Sequence, residues 1–272
     1  MPYQVELEFS VKTDTGLVRP HNEDAIAISA DYGFAILADG MGGYNAGEVA
    51  SGIATSVLKE TLEQRLRTQQ RDMRLNRSKR IQQILVESIV HANDSIFEAA
   101  RINPHNSGMG TTLVAALFYQ DKVTVAHVGD SRAYRLRNGE MTQITHDHSM
   151  LQEQIDAGLI SEENAQFAQN RNLITRALGI NYDLEVEVHE HQTEESDIYL
   201  LCSDGLSDML SKHQILEIMN AANATLDIAC DELVRKANEQ GGCDNISIIL
   251  TAVRSKNAAS PGLVGRVMNW LK

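Results

Sequence analysis

The chain has 272 residues, 43% of them hydrophobic, so it can bury a sizeable core in one large domain or two small ones. Its formal net charge of −13 argues against nucleic acid as the main partner, because phosphate binding needs a basic surface. Three cysteines are too few for a disulfide framework, and neither a signal pattern nor a membrane-spanning apolar run occurs. These features are typical of a cytoplasmic protein.

The first elements predicted along the chain are strands. Polar and apolar residues alternate from Val5 to Val11, which predicts a half-exposed strand. Ala25 to Ala30 and Phe34 to Ala38 then predict a pair of strands around a turn. The second run is apolar throughout and leads directly into Asp39 and a glycine cluster. We interpret it as a fully buried strand that ends at a carboxylate.

Two long helices are predicted next. Asn45 with Glu48 resembles a capping box, and the apolar spacing after it suits an amphipathic helix to about Leu66. Helical periodicity resumes between Ile81 and Phe97. The segment from Arg65 to Arg80 contains six arginines and a lysine against one acid. We interpret this basic segment either as a solvated helical extension or as a docking patch for an acidic or phosphorylated partner.

The middle of the chain changes to a strand pattern. Four short runs between Thr112 and Ile144 predict a meander, with a turn at Asn138-Gly139. The less regular stretch from Asp147 to Gly179 is predicted to be an excursion over the surface, where binding loops concentrate. Ile198 to Leu201 and Ile246 to Val253 then predict two further strands, separated by helices.

No Pro/Gly-rich linker or repeat divides the chain, so the sequence predicts one domain over residues 1–254. Ser211 and Gln214 form a capping box for a helix in its last part. The remaining residues, 255–272, are predicted to be a flexible tail, with a partner-docking helix as the alternative.

Carboxylates at the ends of apolar runs indicate a cation site. Three such runs lead to Asp39, Asp130 and Asp204, and Asp244 directly precedes the final strand. One aspartate at a strand end is more often a turn residue than a functional group. Four that converged would repel strongly unless divalent cations neutralised them. Because the donors are oxygens, without zinc-type Cys or His spacing, they favour Mg²⁺ or Mn²⁺.

The chemistry of such a site points to phosphate esters. Two ions that share a carboxylate can lower the pKa of a bridging water and stabilise an in-line displacement at phosphorus. Arg19 could supply the planar fork that holds the phosphate oxygens.

Several histidines are weaker candidates for metal ligands. His146 and His148 follow a strand, and the sequence favours solvated turn residues over ligands there. His189 and His191 share one face of a strand and could chelate, although an exposed edge is the favoured interpretation. His127 lies in the middle of a strand and is interpreted as a core histidine.

Six short motifs follow one another along the chain: Arg19-Pro20-His21-Asn22-Glu23-Asp24, Asp39-Gly40-Met41-Gly42-Gly43, Gly108 to Thr112, Val128-Gly129-Asp130-Ser131-Arg132, Ser203-Asp204-Gly205 and Asp244-Asn245. In this order they resemble the motifs of the metal-dependent (type 2C, PPM) Ser/Thr protein phosphatases, compact bacterial type. The resemblance covers about residues 10 to 253 and implies an α+β fold, a four-layer α-β-β-α sandwich of two antiparallel sheets flanked by helices.

The resemblance also implies a set of metal ligands for two Mn²⁺ or Mg²⁺ ions and a third metal site. Asp39 would bridge two ions, with the Gly40 carbonyl on one of them. Asp204 and Asp244 would complete the binuclear site. The third site would be formed by Asp130 and Asp208.

Catalytic roles follow from the same resemblance. Asp24 would orient a metal-bound water, and Arg19 would bind the substrate phosphate. Residues 147–179 would be a mobile flap beside the active site. Met41 stands where eukaryotic members have a histidine proposed as general acid, and a thioether cannot protonate a leaving alkoxide.

The resulting prediction is a protein serine/threonine phosphatase that hydrolyses phosphoserine and phosphothreonine by direct attack of a metal-activated water. It would be a monomer that opposes a Ser/Thr protein kinase and acts on the kinase or its substrates. The alternative is a pseudophosphatase, a regulatory module that binds phosphoproteins without catalysis. Its signature would be the loss of a metal-ligating aspartate, and none is lost here.

Overall fold

The computed structural model describes residues 5–43, 46–69, 77–161, 164, 173–221 and 225–255. The described strands are β1 (Val5–Asp14), β2 (Asp24–Ser29), β3 (Phe34–Met41), β4 (Gly110–Thr111), β5 (Leu113–Tyr119), β6 (Lys122–Val128), β7 (Arg132–Arg137), β8 (Glu140–Gln143), β9 (Glu187–Gln192), β10 (Ile198–Cys202) and β11 (Ile246–Ser255). The described helices are α1 (Ala46–Gln69), α2 (Arg77–Ile102), α3 (Met150–Asp156), α4 (Asp204–Ser207), α5 (Lys212–Asn220) and α6 (Leu226–Glu239).

The strands form two sheets in which neighbouring strands run antiparallel. One sheet has the order β1-β11-β10-β7-β8, and the other has the order β2-β3-β5-β6-β9, with β4 paired to the end of β3. Within the described ranges, none of the helices has the length and apolar character needed to cross a membrane.

Three apolar layers hold the sheets and helices together. Between the sheets, Leu37 and Val125 of one sheet share a buried cluster with Tyr199 and Ile249 of the other. On the outer face of the sheet that contains β3, β5 and β6, these strands are covered by α1 and α2. On the outer face of the other sheet, α5 and α6 cover β10 and β11. The predicted four-layer α-β-β-α sandwich is therefore confirmed.

The packing of α1 follows directly from its sequence. A buried apolar residue stands at every fourth position from Ala46 to Leu66, which places one continuous stripe against β2 and β3. The first three residues of the stripe are alanines, so the start of the helix approaches the sheet closely. At this point Gly47 of α1 lies against Gly40 at the end of β3. The helix thus braces the backbone next to Asp39.

The predicted meander between Thr112 and Ile144 is wrong. β5 and β6 form a hairpin in one sheet, whereas β7 and β8 form a hairpin in the other. The chain crosses between the sheets after Val128, where Gly129 has a φ of +107° that favours glycine. Alternation of apolar residues predicts strands but does not say which sheet each strand joins.

Several other local predictions can be compared with the structure. The capping box of Ser211 and Gln214 is present at the start of α5. The predicted cap at Asn45 lies outside the described residues, as do the centre of the basic segment and most of the tail. Residues 162–163 and 165–172 of the predicted flap also lie outside them, and the domain boundary at residue 254 stays a prediction.

The close approach of α1 to β3 gives a test of this bracing. A Cβ at Gly40 would come within 2.5 Å of the Glu23 carbonyl oxygen and closer still to that of Gly47. Gly40→Ala should therefore lower the free energy of unfolding by about 1–3 kcal/mol, measured by urea denaturation. Gly52→Ala, where a Cβ meets nothing within 4 Å, should instead raise it by about 0.5–1 kcal/mol. Equal effects at the two glycines would contradict the bracing.

Candidate active site

The site is built around a cross-strand pair of aspartates. Asp24 opens β2 and lies directly opposite Asp39, near the end of β3. The Asp39 backbone is held on both sides by Thr112: its N–H donates to Thr112 Oγ1 at 3.1 Å, and its carbonyl accepts from the Thr112 N–H at 2.9 Å. The strand ends therefore fix one carboxylate against the other.

The second sheet contributes aspartates at the same end of the sandwich. Asp204 begins α4 directly after β10, and Asp244 precedes β11. Ser203 links the two sheets, because its hydroxyl donates to Asp24 Oδ2 at 2.9 Å. Asp130 follows β6 and is 8% exposed. Asp208 ends α4, where its N–H donates to the Asp204 carbonyl at 2.7 Å.

The closeness and burial of these carboxylates change how they ionise. Burial raises the pKa of Asp24 to about 7, that of Asp130 to about 8 and that of Asp204 to about 6. The pKa of Asp39 is raised well above its usual value by burial and by its neighbours Asp24 and Asp204. Each carboxylate makes it harder for the others to ionise, as expected for like charges in one buried site.

The residues fit a hard divalent cation. One carboxylate oxygen on each of Asp24, Asp130 and Asp204 is buried without a hydrogen-bond partner. Buried carboxylate oxygens are costly unless a proton, a hydrogen bond or a cation meets them. Since the donors are oxygens, the set suits Mg²⁺ or Mn²⁺ better than a metal that prefers sulfur or nitrogen.

Arg19 lies at the exposed side of this cluster. Its Nη2 donates to Asp244 Oδ2 at 2.6 Å, and its side chain is 47% exposed. A half-exposed guanidinium beside the aspartates can reach both the cluster and an incoming anion. The structure therefore brings Arg19 together with Asp244, one of the aspartates that the sequence singled out.

Asn245 is a site residue whose role the sequence reasoning missed. Its side-chain amide donates to the carbonyls of Thr15 and His21, at 2.9 and 3.0 Å, and its Oδ1 accepts from the Glu23 N–H at 2.8 Å. These bonds tie the segment that carries Arg19 to the start of β11. An asparagine directly after Asp244 was the available signal, since a buried amide can bind several backbone groups at once.

A partly buried ion pair fixes the start of the predicted flap. Arg132 binds Asp147 with Nε at 2.9 Å and Nη2 at 2.6 Å from Asp147 Oδ2, and Asp147 is 7% exposed. His146 is exposed, as a turn residue would be, but the interpretation of His148 as solvated is wrong. His148 is buried because its ring accepts from the Gly129 N–H and contacts Glu187.

A sandwich of two antiparallel sheets with outer helices, whose strand ends gather buried aspartates beside an exposed arginine, defines the class of metal-dependent phosphatases. A sequence profile of the family described as Protein phosphatase 2C matches residues 19–239. This match spans most of the chain, which therefore belongs to the protein phosphatase 2C family.

Individual relatives are also similar over nearly the whole chain. The serine/threonine phosphatase stp of Listeria innocua is 38% identical over 88% of this chain and 93% of the relative. The crystal structure of Stp1 from Staphylococcus aureus has a TM-score of 0.83 and 33% identity, over 94% of this chain and 98% of that one. The catalytic domain of PstP, solved with two manganese ions, has a TM-score of 0.80 and 34% identity, over 93% and 100% of the two chains.

The raised carboxyl pKa values predict how pH affects the metal-free protein. A folded-state pKa above the unfolded value means that ionisation costs stability, and the cost grows as pH rises from about 4 towards 8. In protein stripped by chelator, Asp130→Asn should raise the free energy of unfolding at about pH 8.5 by at least about 1 kcal/mol. The gain should be smaller at about pH 5, where folded wild type keeps this carboxyl protonated.

The measurement is urea denaturation at both pH values, with Asp183→Asn as the control. Asp183 is an exposed carboxylate outside the cluster. A pH-independent effect of Asp130→Asn, or an equal effect of Asp183→Asn, would contradict the mutual repulsion inferred for the site.

Proposed function

We propose that this chain is a metal-dependent protein phosphatase that removes phosphate from phosphoserine and phosphothreonine. The observation that carries the proposal is the convergence of buried, unpartnered aspartate oxygens beside Arg19. The relatives named as serine/threonine phosphatases support the substrate class.

The metal ions of this site are Mn²⁺ or Mg²⁺. Asp39, the Gly40 carbonyl, Asp204 and Asp244 would hold two of them, and Asp130 with Asp208 would form the third site. When bound, the ions would activate water as a nucleophile and neutralise negative charge on the phosphoryl group in the transition state. The manganese ions in the structure of PstP support this choice of metal.

The protein groups bind the substrate and position the water. Arg19 presents its guanidinium fork to the phosphate oxygens, in exchange for part of its contact with Asp244. Asp24 keeps one oxygen on Ser203, and its other oxygen is free to accept a hydrogen bond from the attacking water. The water is thereby aimed at phosphorus without a covalent intermediate.

The leaving alkoxide receives its proton from water. Met41 pairs with Gly110 of β4 at the edge of the site, and its thioether has no proton to give. Because no histidine stands at this position, protonation of the leaving alkoxide falls to the solvent.

The substrates of this phosphatase are phosphoproteins, among them a Ser/Thr kinase of the same cell or the targets of that kinase. The protein acts as a monomer. A pseudophosphatase is less well supported, because every aspartate assigned to the metal sites is present, and Asp130 and Asp204 each retain an unpartnered buried oxygen.

The first test removes one ligand at a time from the metal site. Asp39→Asn and Asp204→Asn should each lower Mn²⁺-dependent turnover of a phosphothreonine peptide by at least about 100-fold, because charge stabilisation at phosphorus is lost. Asp231→Asn, an exposed carboxylate paired with Lys12, is the matched control and should keep full activity. Metal-dependent turnover that survives in both site variants would overturn the proposal.

The second test examines Arg19 at saturating Mn²⁺. Arg19→Ala should raise KM for the phosphopeptide by about tenfold or more, because a charge-assisted hydrogen bond contributes about 1.5–3 kcal/mol. Arg19→Lys should restore only part of the affinity, since an ammonium group cannot bind two oxygens with a planar fork. An unchanged KM in Arg19→Ala would contradict its role in phosphate binding.

A further inference from the structure

A group of histidines lies on the inner face of β6 and β9, apart from the aspartate cluster. His127 of β6 lies opposite Glu187 of β9, and His189 is two residues further along the same strand. One ligand atom from each of these side chains lies within 4.8 Å of the other two. Two imidazoles and a carboxylate at this spacing can enclose a single ion.

His127 is already arranged as a metal ligand. Its side chain is fully buried, and Nε2 lies 2.8 Å from the His146 carbonyl, which can only accept a hydrogen bond. Nε2 therefore carries the proton, and Nδ1 carries a lone pair. This Nδ1 is buried with no hydrogen-bond partner. A backbone carbonyl on the other ring nitrogen is the usual support for a histidine that binds metal.

Glu187 is oriented by the histidines around it. His148 Nδ1 accepts from the Gly129 N–H at 3.1 Å, so its proton is on Nε2, which donates to Glu187 Oε2 at 3.1 Å. The other oxygen, Oε1, lies 2.7 Å from His189 Nε2. Glu187 and His189 are 31% and 32% exposed at their side chains, which leaves a path for an ion from solvent.

The charges around the group favour a cation at one end only. The rings of His127 and His148 stack at 4.7 Å, and those of His189 and His191 lie 6.3 Å apart. The positive charges of Arg135 and Arg137 disfavour a positive charge at His191, whereas the negative charge of Glu187 favours one at His127. Glu187 also contacts His189. At His148, Arg176 disfavours a positive charge and Glu185 favours one. A divalent ion is therefore stabilised near Glu187 and repelled near His191.

We propose that His127, Glu187 and His189 form a nitrogen-rich binding site for a Zn²⁺-type cation, separate from the aspartate site. The donor set of two imidazoles and one carboxylate suits Zn²⁺, with a fourth position open to solvent. The ion takes the place of the proton between His189 and Glu187, whose atoms move from 2.7 Å to roughly 3.3 Å apart in a tetrahedral site. The neutral imidazole of His189 keeps its single proton, which moves to Nδ1 when Nε2 binds the ion.

The site also touches the backbone that carries an aspartate of the active site. His148, which orients Glu187, binds the N–H of Gly129, the residue before Asp130. His127 contacts the carbonyl of His146, at the start of the predicted flap. An ion bound by these side chains would restrict the motion of the backbone at Gly129 and His146. It would share no ligand with the aspartate cluster.

Cobalt provides a direct test, because tetrahedral Co²⁺ with nitrogen ligands absorbs visible light far more strongly than octahedral Co²⁺ on oxygen. Full-length protein without a histidine tag is stripped with chelator, supplied with excess Mg²⁺, and titrated with Co²⁺. We expect intense visible bands that saturate at one Co²⁺ per chain and disappear when Zn²⁺ is added. The absence of such bands in the wild-type protein would overturn the proposal.

Variants assign the signal to individual side chains. Glu187→Gln and His189→Asn should each weaken Co²⁺ binding at least tenfold, because each removes one of the three ligands. His191→Asn, on the same face of β9, should leave the bands unchanged, and so should Asp204→Asn in the aspartate cluster. Bands that persist in Glu187→Gln and His189→Asn, or vanish in Asp204→Asn, would show that the ion binds elsewhere.

A thermal melt separates ligand loss from misfolding. With excess Mg²⁺ present, Zn²⁺ should raise the Tm of wild type and of His191→Asn, because it binds the folded chain, and should raise that of His189→Asn by less. Since His189 is partly exposed, its replacement by Asn leaves the core intact, unlike replacement of the fully buried His127. An equal Zn²⁺-dependent shift in all three proteins would contradict the proposed ligands.

Discussion

Repulsion among carboxylates is the constraint on which the rest of this structure depends. Two sheets deliver buried aspartates to one end of the sandwich, and burial together with neighbouring charge raises the pKa of Asp24, Asp39, Asp130 and Asp204. Without cations, this end of the fold is a store of unfavourable electrostatic energy. The apolar layers on both faces of each sheet stabilise the arrangement and keep the oxygens where a cation can meet them.

The backbone around the aspartates is held by contacts that only small or amide side chains allow. Gly40 faces Gly47 of α1, and Gly205 lies so close to the Asn245 carbonyl that a Cβ has no space there. The Asn245 side chain ties the segment before β2 to β11. The contacts of Gly205 and Asn245 join segments far apart in the chain, so the backbone of the site is held by the tertiary fold.

Much of the fold and of the site could be predicted from the chain. Apolar runs that end in aspartate identified β3, β6 and β10, and the motifs in order indicated the sandwich. The sheet that β7 joins could not be predicted, because a turn at Gly129 sends the chain across to the other sheet. The burial of His148 was also missed, since its partners, Gly129 and Glu187, come from other elements.

The sequence by itself determined the local chemistry: which runs are buried strands, which carboxylates end them, and that oxygen donors select a hard cation. The resemblance of its motifs to a known family also determined the fold class. Only the tertiary structure decided which side chains share a space, such as Arg19 with Asp244 and His127 with Glu187. The physical reason is range: propensity and periodicity act over a few residues, whereas these contacts depend on strand register and on how two sheets stack.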